Sequence, residues 1–398
     1  MMKAVYKTDG ASLAIDILSN PKVKDFMEAH SVALDSSFEK TDMSDAMRRR
    51  LQRSNFIFSG MKSFHEVNEA MSLLYDDNGV IKPFERFLND ARNIDEIYNR
   101  NWLRSEYNFV ASSAQMASKW ERFMEDGDRY YLQYRTQKDD KVRPEHAALD
   151  GVTLPPSDSF WSEFYPPNGW NCRCNVVQVR KSKYPATDHN EAMRLGDDAL
   201  QRDTKGIFRF NPGLEQKSVP DYNPYTIRRC RDCDIAKGKL KLSRQFVPDN
   251  EVCAACAIVH QCFGDKEKSD NAIRRKHYLH QMEPLLKRKV TVNGNGHDMP
   301  VGFSKYGNKH LYSDTHGRSS ILNADDLANI DELLANAKFI RKSAKSKPRK
   351  DKIERFYYYE VELRGKKIYL NVAETDFKTK HGNIWHERFL YSVTDTLK

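Results

Sequence analysis

Nowhere does this chain of 398 residues contain an apolar run approaching the ~18 residues that a membrane-spanning helix requires. Its opening, MMKAVYKTDGASLAIDIL, also lacks the continuous apolar stretch and small-residue cleavage site of a secretory leader. Cytoplasmic synthesis without a membrane partner is therefore expected. Apolar residues are sparse at 39%, charged residues reach 30% and the mean hydropathy is −0.76, the profile of a very polar protein with extensive surface. At this length such a chain should hold two or three domains, each with its own core. An even cysteine complement is missing too. Seven cysteines in CxC and CxxC spacings argue for metal ligands and thiols in a reducing compartment, and against a disulfide framework. Charge is unbalanced: the net charge of +9 favours an acidic partner such as nucleic acid without identifying it. The run Asp76, Asp77, Asn78, Gly79 lacks the alternating oxygen ligands and terminal Glu of a calcium loop, which excludes an EF-hand and leaves a turn.

What is present is concentrated between Tyr131 and Val176. Tyr134 and Arg135 end a strand pattern, Arg143 and His146 flank Pro144, and Asp150–Gly151 make a turn. Pro166, Pro167, Asn168 and Gly169 then lead into Trp170, Asn171, Cys172, Arg173 and Cys174. Proline fixes φ and drives the preceding residue to extended conformations, so this window reads as ordered loop rather than helix. Cys172, Cys174 and His146 offer soft and imidazole ligands suited to zinc, with Asp150 as an oxygen ligand. The spacing is not a standard one, and two cysteines alternating across a short buried strand would look the same. Arg143 and Arg173 suit fixed planar contacts that hold loops.

The order R-x-x-H, acidic-Gly turn, P-P-N-x-x-C-R-C resembles the phage Mu F-type minor head, or head morphogenesis, proteins. The resemblance extends upstream through Asn101, Trp102, Leu103, Arg104, Glu106 and Tyr107. Downstream it reaches Phe208, Phe210, Asn211, Pro212 and Gly213, a run that closes the head-protein domain in that family. It implies a virion protein acting in capsid assembly beside portal and capsid proteins, near DNA packaging, in the virion or the host bacterial cytoplasm.

Apolar spacing of three and four in Met47, Leu51 and Phe56, and in Ile94, Ile97, Tyr98, Trp102 and Leu103, predicts a mostly helical first region. Phe58, Ser59 and Gly60 read as a turn after a helix, and residues 180–228 as a wrapping or linking segment. Beyond it, Cys230, Cys233, Cys253 and Cys256 form two CxxC pairs about 19 residues apart, the spacing at which two tight turns converge on one structural zinc. His260 and Cys262 follow and offer a substitute fourth ligand.

From about residue 270 the pattern becomes α+β: a basic helix Asn271 to Lys289, strands near 290–292 and 300–303, then a loop SKYGNKHLYSDTHGRSS. A helix from Asn323 to Asn336 follows, capped by Asn323. Strands at 338–341, 356–363, 366–372 and 387–393 end the chain, with Arg364 and Gly365 as a hairpin turn. This order resembles barnase, EndoU, colicin E5/D and RelE-like nuclease domains. That resemblance implies a metal-independent ribonuclease, with His310 or His386 as acid or base, Arg318 or Lys309 for phosphate charge, Tyr391 or Thr394 as positioning hydroxyl, and His316 as a further candidate in the loop of His310. Each is equally a solvated polar side chain. RNA or packaged DNA and an immunity protein would be partners of such a toxin domain. The basic run Lys342 to Lys352 is a flexible loop or a phosphate contact.

The expected architecture is α+β multidomain. A mostly helical head-protein domain with a small β/loop region covers residues 1–215. A zinc-ribbon-like module holding the four CxxC cysteines covers 216–265, and an α+β domain with an antiparallel sheet covers 266–398. Two functional readings stand side by side: a minor head protein fused to a ribonuclease, and a purely structural assembly protein whose last domain binds nucleic acid or protein without turnover.

Overall fold

Helix signals in the first third of the chain are local and strong. In the computed structural model, which describes residues 1–7, 17–226, 251–294, 296–316, 322, 326–327, 329–344, 353–378 and 384–397, they are realised as long helices. The chain divides into two compact units, Met1–Lys266 and Glu267–Lys398.

In the first unit, α1 (Met2–Lys7) precedes α2 (Pro21–Asp35), which starts where the Asn20 side chain accepts from the Lys22 amide, with Pro21 in the first turn. Ser44 caps α3 (Asp45–Ser72) by accepting from the Met47 amide at 3.1 Å. Glu121 holds Ser44 in turn, through a 2.6 Å bond from its hydroxyl. Next come α4 (Phe84–Glu96), a π-helical turn (Ile97–Trp102) and α5 (Leu103–Asp126), which ends at Gly127 with φ 54°. Buried Met27, Leu34, Leu51, Met61, Val67 and Val110 fill the core between these helices. Phe58, Ser59 and Gly60 are interior residues of α3, not a turn. Glycine is needed there for close approach: a Cβ on Gly60 would lie 2.4 Å from Val259 Cγ1. Asp76–Gly79 is the expected turn, with the Asp76 carboxylate accepting from the Asn78 and Val80 amides and Gly79 at φ 74°.

The second half of α5 serves another core. Met116, Trp120 and Phe123 pack over a three-stranded antiparallel sheet ordered β2-β1-β3, built from β1 (Tyr131–Arg135), β2 (Thr153–Leu154) and β3 (Asn175–Val179). Tyr134 pairs with Val176 and Leu132 with Leu154. Short helices α6 (Pro144–Ala147) and α7 (Phe160–Glu163) punctuate the loops. The segment expected to wrap or link contains α8 (His189–Ala199), capped by Asp188, and α9 (Pro212–Glu215). Asn211 caps α9 through the Gly213 and Leu214 amides and donates to the Trp161 carbonyl at 2.9 Å. A Cβ on Gly213 would sit 2.2 Å from Trp120 Cβ, so only glycine lets this turn lie against α5.

Cys230 and Cys233 lie outside the described residues. Cys253 and Cys256 fall within α10 (Glu251–Gln281), so the second CxxC is one turn of a long helix and not a tight turn of a ribbon. The alanine-rich run Ala254, Ala255, Ala257 favours helix at this point. Cys256 is buried in the first unit's core beside Ala255 and Val259.

The second unit is a six-stranded sheet ordered β4-β5-β9-β8-β7-β6. Its strands are β4 (Lys289–Asn293), β5 (Asp298–Gly302), β6 (Lys338–Lys342), β7 (Ile353–Leu363), β8 (Lys366–Lys378) and β9 (Ile384–Thr394). All pairs are antiparallel except β5 with β9. Arg364 and Gly365, at φ 52° and 73°, form the two-residue β7–β8 turn that the sequence indicates. The basic helix expected from Asn271 to Lys289 ends instead at Gln281, and Lys289 already opens β4. The segment expected as a loop around His310 is α11 (Lys305–His316). The expected Asn323–Asn336 helix appears as α12 (Ile330–Ala335), while its proposed cap, Asn323, lies outside the described residues. Leu311, Ile330 and Leu334 pack with Tyr359, Leu370, Val372 and Leu390 on one face of the sheet. Ile353, Ala373 and Phe389 form a smaller cluster with Phe356 and Tyr391.

Candidate functional site

The Pro-rich window folds into a buried cluster because its two loops are held by fixed polar contacts. Pro144 starts α6, which places His146 facing inward with 3% of its surface exposed. Arg143, one residue before, donates to the Trp170 carbonyl at 2.8 Å and so ties the α6 loop to the segment carrying the cysteines. Gly169 lies under that guanidinium, where a Cβ would be 3.2 Å from Arg143 Nη1. Arg173 forks onto Asp139 with two 2.7 Å bonds. Both arginines thus hold loops, as the planar guanidinium favours.

Between these struts Cys172 and Cys174 approach His146. His146 Nδ1 is 3.9 Å from each sulfur, all three ligand atoms lie within 4.8 Å of one another, and all three residues are buried. The Tyr134 hydroxyl donates to Asn168 Oδ1 at 2.8 Å. The hydrogen bond from Cys174 holds the Cys172 thiol well below its ordinary range, while the same bond and burial push Cys174 up. A cavity of about 280 Å³ opens beside the cluster, lined by Lys141, Arg143 and Arg173. Asp150 is not part of the cluster. Its carboxylate accepts from the Thr136 amide at 2.9 Å and pairs with Lys138 at 3.0 Å, which makes it a turn-forming residue and removes it as the oxygen ligand.

A second buried network is not legible in the sequence. Lys62, 1% exposed, bonds Glu106 at 2.5 Å and His30 Nε2 at 3.1 Å. His30 Nδ1 contacts Ser59 Oγ at 2.7 Å, and Tyr225 donates to Glu106 at 2.8 Å. Glu106 belongs to the N-x-L-R-x-E run singled out above, but its partners come from three distant segments. The available signal is a Lys at a core-facing position of α3, between Phe58 and Glu66.

In the second unit the candidate residues separate. His310 stacks on Tyr391 with ring centroids 4.3 Å apart and touches Tyr306 edge-on at 4.7 Å. His386 pairs with Asp376 at 2.6 Å, beside Glu374, which is already held by Arg355, Tyr357 and Arg388. Strand alternation places His386, Arg388 and Leu390 on one face of β9, whereas Tyr391 clusters with Phe389 and Phe356 on the other. The Thr394 hydroxyl closes a local turn by donating to the Thr396 carbonyl at 3.1 Å. The His316 side chain and Arg318 lie outside the described residues.

Comparison with known proteins places two segments. Residues 81–177 match the family described as Phage Mu protein F like protein, and residues 269–391 match Large polyvalent protein-associated domain 3. The chain therefore carries a phage Mu F-like region, while the nuclease assignment expected for the last domain finds no support in the domain that matches there. The chain is 38% identical over 171 residues to "Putative capsid assembly protein F" of Escherichia phage Mu, covering 38% of this chain and 36% of that protein. It is 32% identical over 100 residues to the Mu-like prophage FluMu F protein of Haemophilus influenzae, covering 23% of this chain and 24% of that protein. The matches thus span about a third and a quarter of these curated relatives. A segment of 47 residues is 43% identical to an uncharacterized protein of Methanocaldococcus jannaschii, 12% of this chain and 7% of that one. No solved structure matches the chain.

Proposed function

With residues 81–177 as a phage Mu F-like region, we propose that this chain is a head-assembly protein of a Mu-like phage or prophage, a minor component that works beside portal and capsid proteins as DNA is packaged. The observation that carries the reading is that the match encloses both the buried Glu106 and the buried His146–Cys172–Cys174 cluster. The capsid-assembly role in the name of the Mu relative is the role transferred. Among the described residues no helix is long and apolar enough to cross a membrane. The second unit is read as an accessory module that contacts nucleic acid or protein, in line with the chain's excess of cations. Peptide mass spectrometry of purified particles tests the assignment. The chain should be found at a few copies per head, and its absence from every particle form, precursors included, would count against it.

A second reading, a ribonuclease in the last unit with an immunity partner, is favoured by one observation. The imidazole of His386 is half-exposed and oriented by Asp376, an arrangement that general acid–base chemistry uses. Full-length protein incubated with RNA in EDTA should then cleave it, and His386→Ala should lower the rate by about 100-fold or more. Equal rates for the two proteins, or no cleavage by either, rejects this reading.

A further inference from the structure

We propose that His146, Cys172 and Cys174 form a zinc site with three protein ligands and a solvent molecule in the fourth position. This goes beyond the head-assembly reading and does not depend on it. Zinc bonds of about 2.3 Å to sulfur and 2.0 Å to nitrogen, at tetrahedral angles, place sulfur and nitrogen about 3.5 Å apart and the two sulfurs about 3.8 Å apart. The two observed sulfur-to-nitrogen separations are 3.9 Å, a few tenths of an ångström from the bound value, and all three ligand atoms lie within 4.8 Å of one another.

The chemistry of the donors agrees with the geometry. Two thiols and an imidazole are the ligands that zinc takes in structural and catalytic centres alike, whereas calcium and magnesium want oxygen. Asp150, the nearby carboxylate in sequence, is engaged elsewhere, which leaves the cluster free of hard ligands. Binding displaces the thiol protons to solvent and leaves two thiolates facing a divalent cation, a neutral set beside the Arg143 guanidinium. The ligands come from α6 and from the segment entering β3, so the ion would pin together the two loops that Arg143 already ties. The fourth position would face the cavity lined by Lys141, Arg143 and Arg173.

Full-length protein carrying Cys230→Ser and Cys233→Ser removes the other cysteine pair from consideration. Metal analysis of that protein should find one zinc per chain. Cobalt exchanged into it should show the visible bands of a tetrahedral ion together with thiolate-to-cobalt charge transfer. Adding Cys172→Ser or His146→Ala should weaken binding, read by competition with a chromophoric chelator. Should the ligand variants fail to fold, the cobalt spectrum of the parent protein still decides. A parent protein with no zinc and no cobalt spectrum, or one whose mass is lower by two hydrogens because Cys172 and Cys174 are joined as a disulfide, overturns the proposal.

Discussion

Lys62 shows at the scale of one residue why buried charge is hard to see in a sequence. It sits in a helix whose composition is otherwise mixed, and its partners Glu106, His30 and Tyr225 are supplied by tertiary contacts. Removing one member of a buried pair leaves the other uncompensated, so Lys62→Met should destabilise the first unit by about 3–5 kcal/mol in denaturant titrations. A loss below about 1 kcal/mol would show that Glu106 is solvated or protonated. Glu66 lies close by and is raised to about 8, chiefly by burial and then by repulsion from Asp95. Its folded form keeps a proton that the unfolded chain loses above about pH 4.5, so its contribution to stability declines as pH rises from there to about 8. The stability difference between wild type and Glu66→Gln should therefore shift in favour of the variant across that window. A difference independent of pH would contradict the raised value. His146, Cys172 and Cys174 are legible as a group because a CxC and an upstream His stand out by type. Asp150 is misplaced by the sequence because proximity along the chain says nothing about which way a turn carboxylate points.

At the scale of elements, caps and turns are legible where the signal is local: Arg364–Gly365 in its hairpin and Asp76–Gly79 in its turn. Differences arise where a local signal is overridden. Phe58-Ser59-Gly60 looks like a helix end, yet Gly60 is retained inside α3 because Val259 of α10 packs directly upon it. Gly60→Leu should thus cost about 1–3 kcal/mol or more through overpacking, although leucine has the better helix propensity. A variant as stable as wild type would mean that the two helices can separate without loss. The segment around His310 suggests loop by its Ser, Asn and Gly content. The structure makes it helix, started at Ser304, whose hydroxyl accepts from the Gly307 amide at 2.9 Å; Gly307 itself lies against β9, where a Cβ would be 2.2 Å from the Leu390 carbonyl oxygen. The CxxC at Cys253 suggests a tight turn by spacing alone, and the alanines beside it are the competing helix signal that prevails.

At the scale of the whole molecule, the order of a helical first part, a short thiol-rich β region and a final sheet is visible in the sequence, since it depends on periodicity and on loop-forming prolines. Strand order is not visible. Alternation along β9 divides His386 from Tyr391 across the two faces of one strand, which a linear reading gathers into one site. The assignment to head assembly rests on the Mu F-like region, and the most direct test of it is genetic. Deleting the coding sequence from a producing phage and counting DNA-filled heads by electron microscopy should show heads absent, misshapen or empty, with full heads restored when the intact chain is supplied in trans. Normal numbers of filled, correctly shaped heads without the chain would contradict the account.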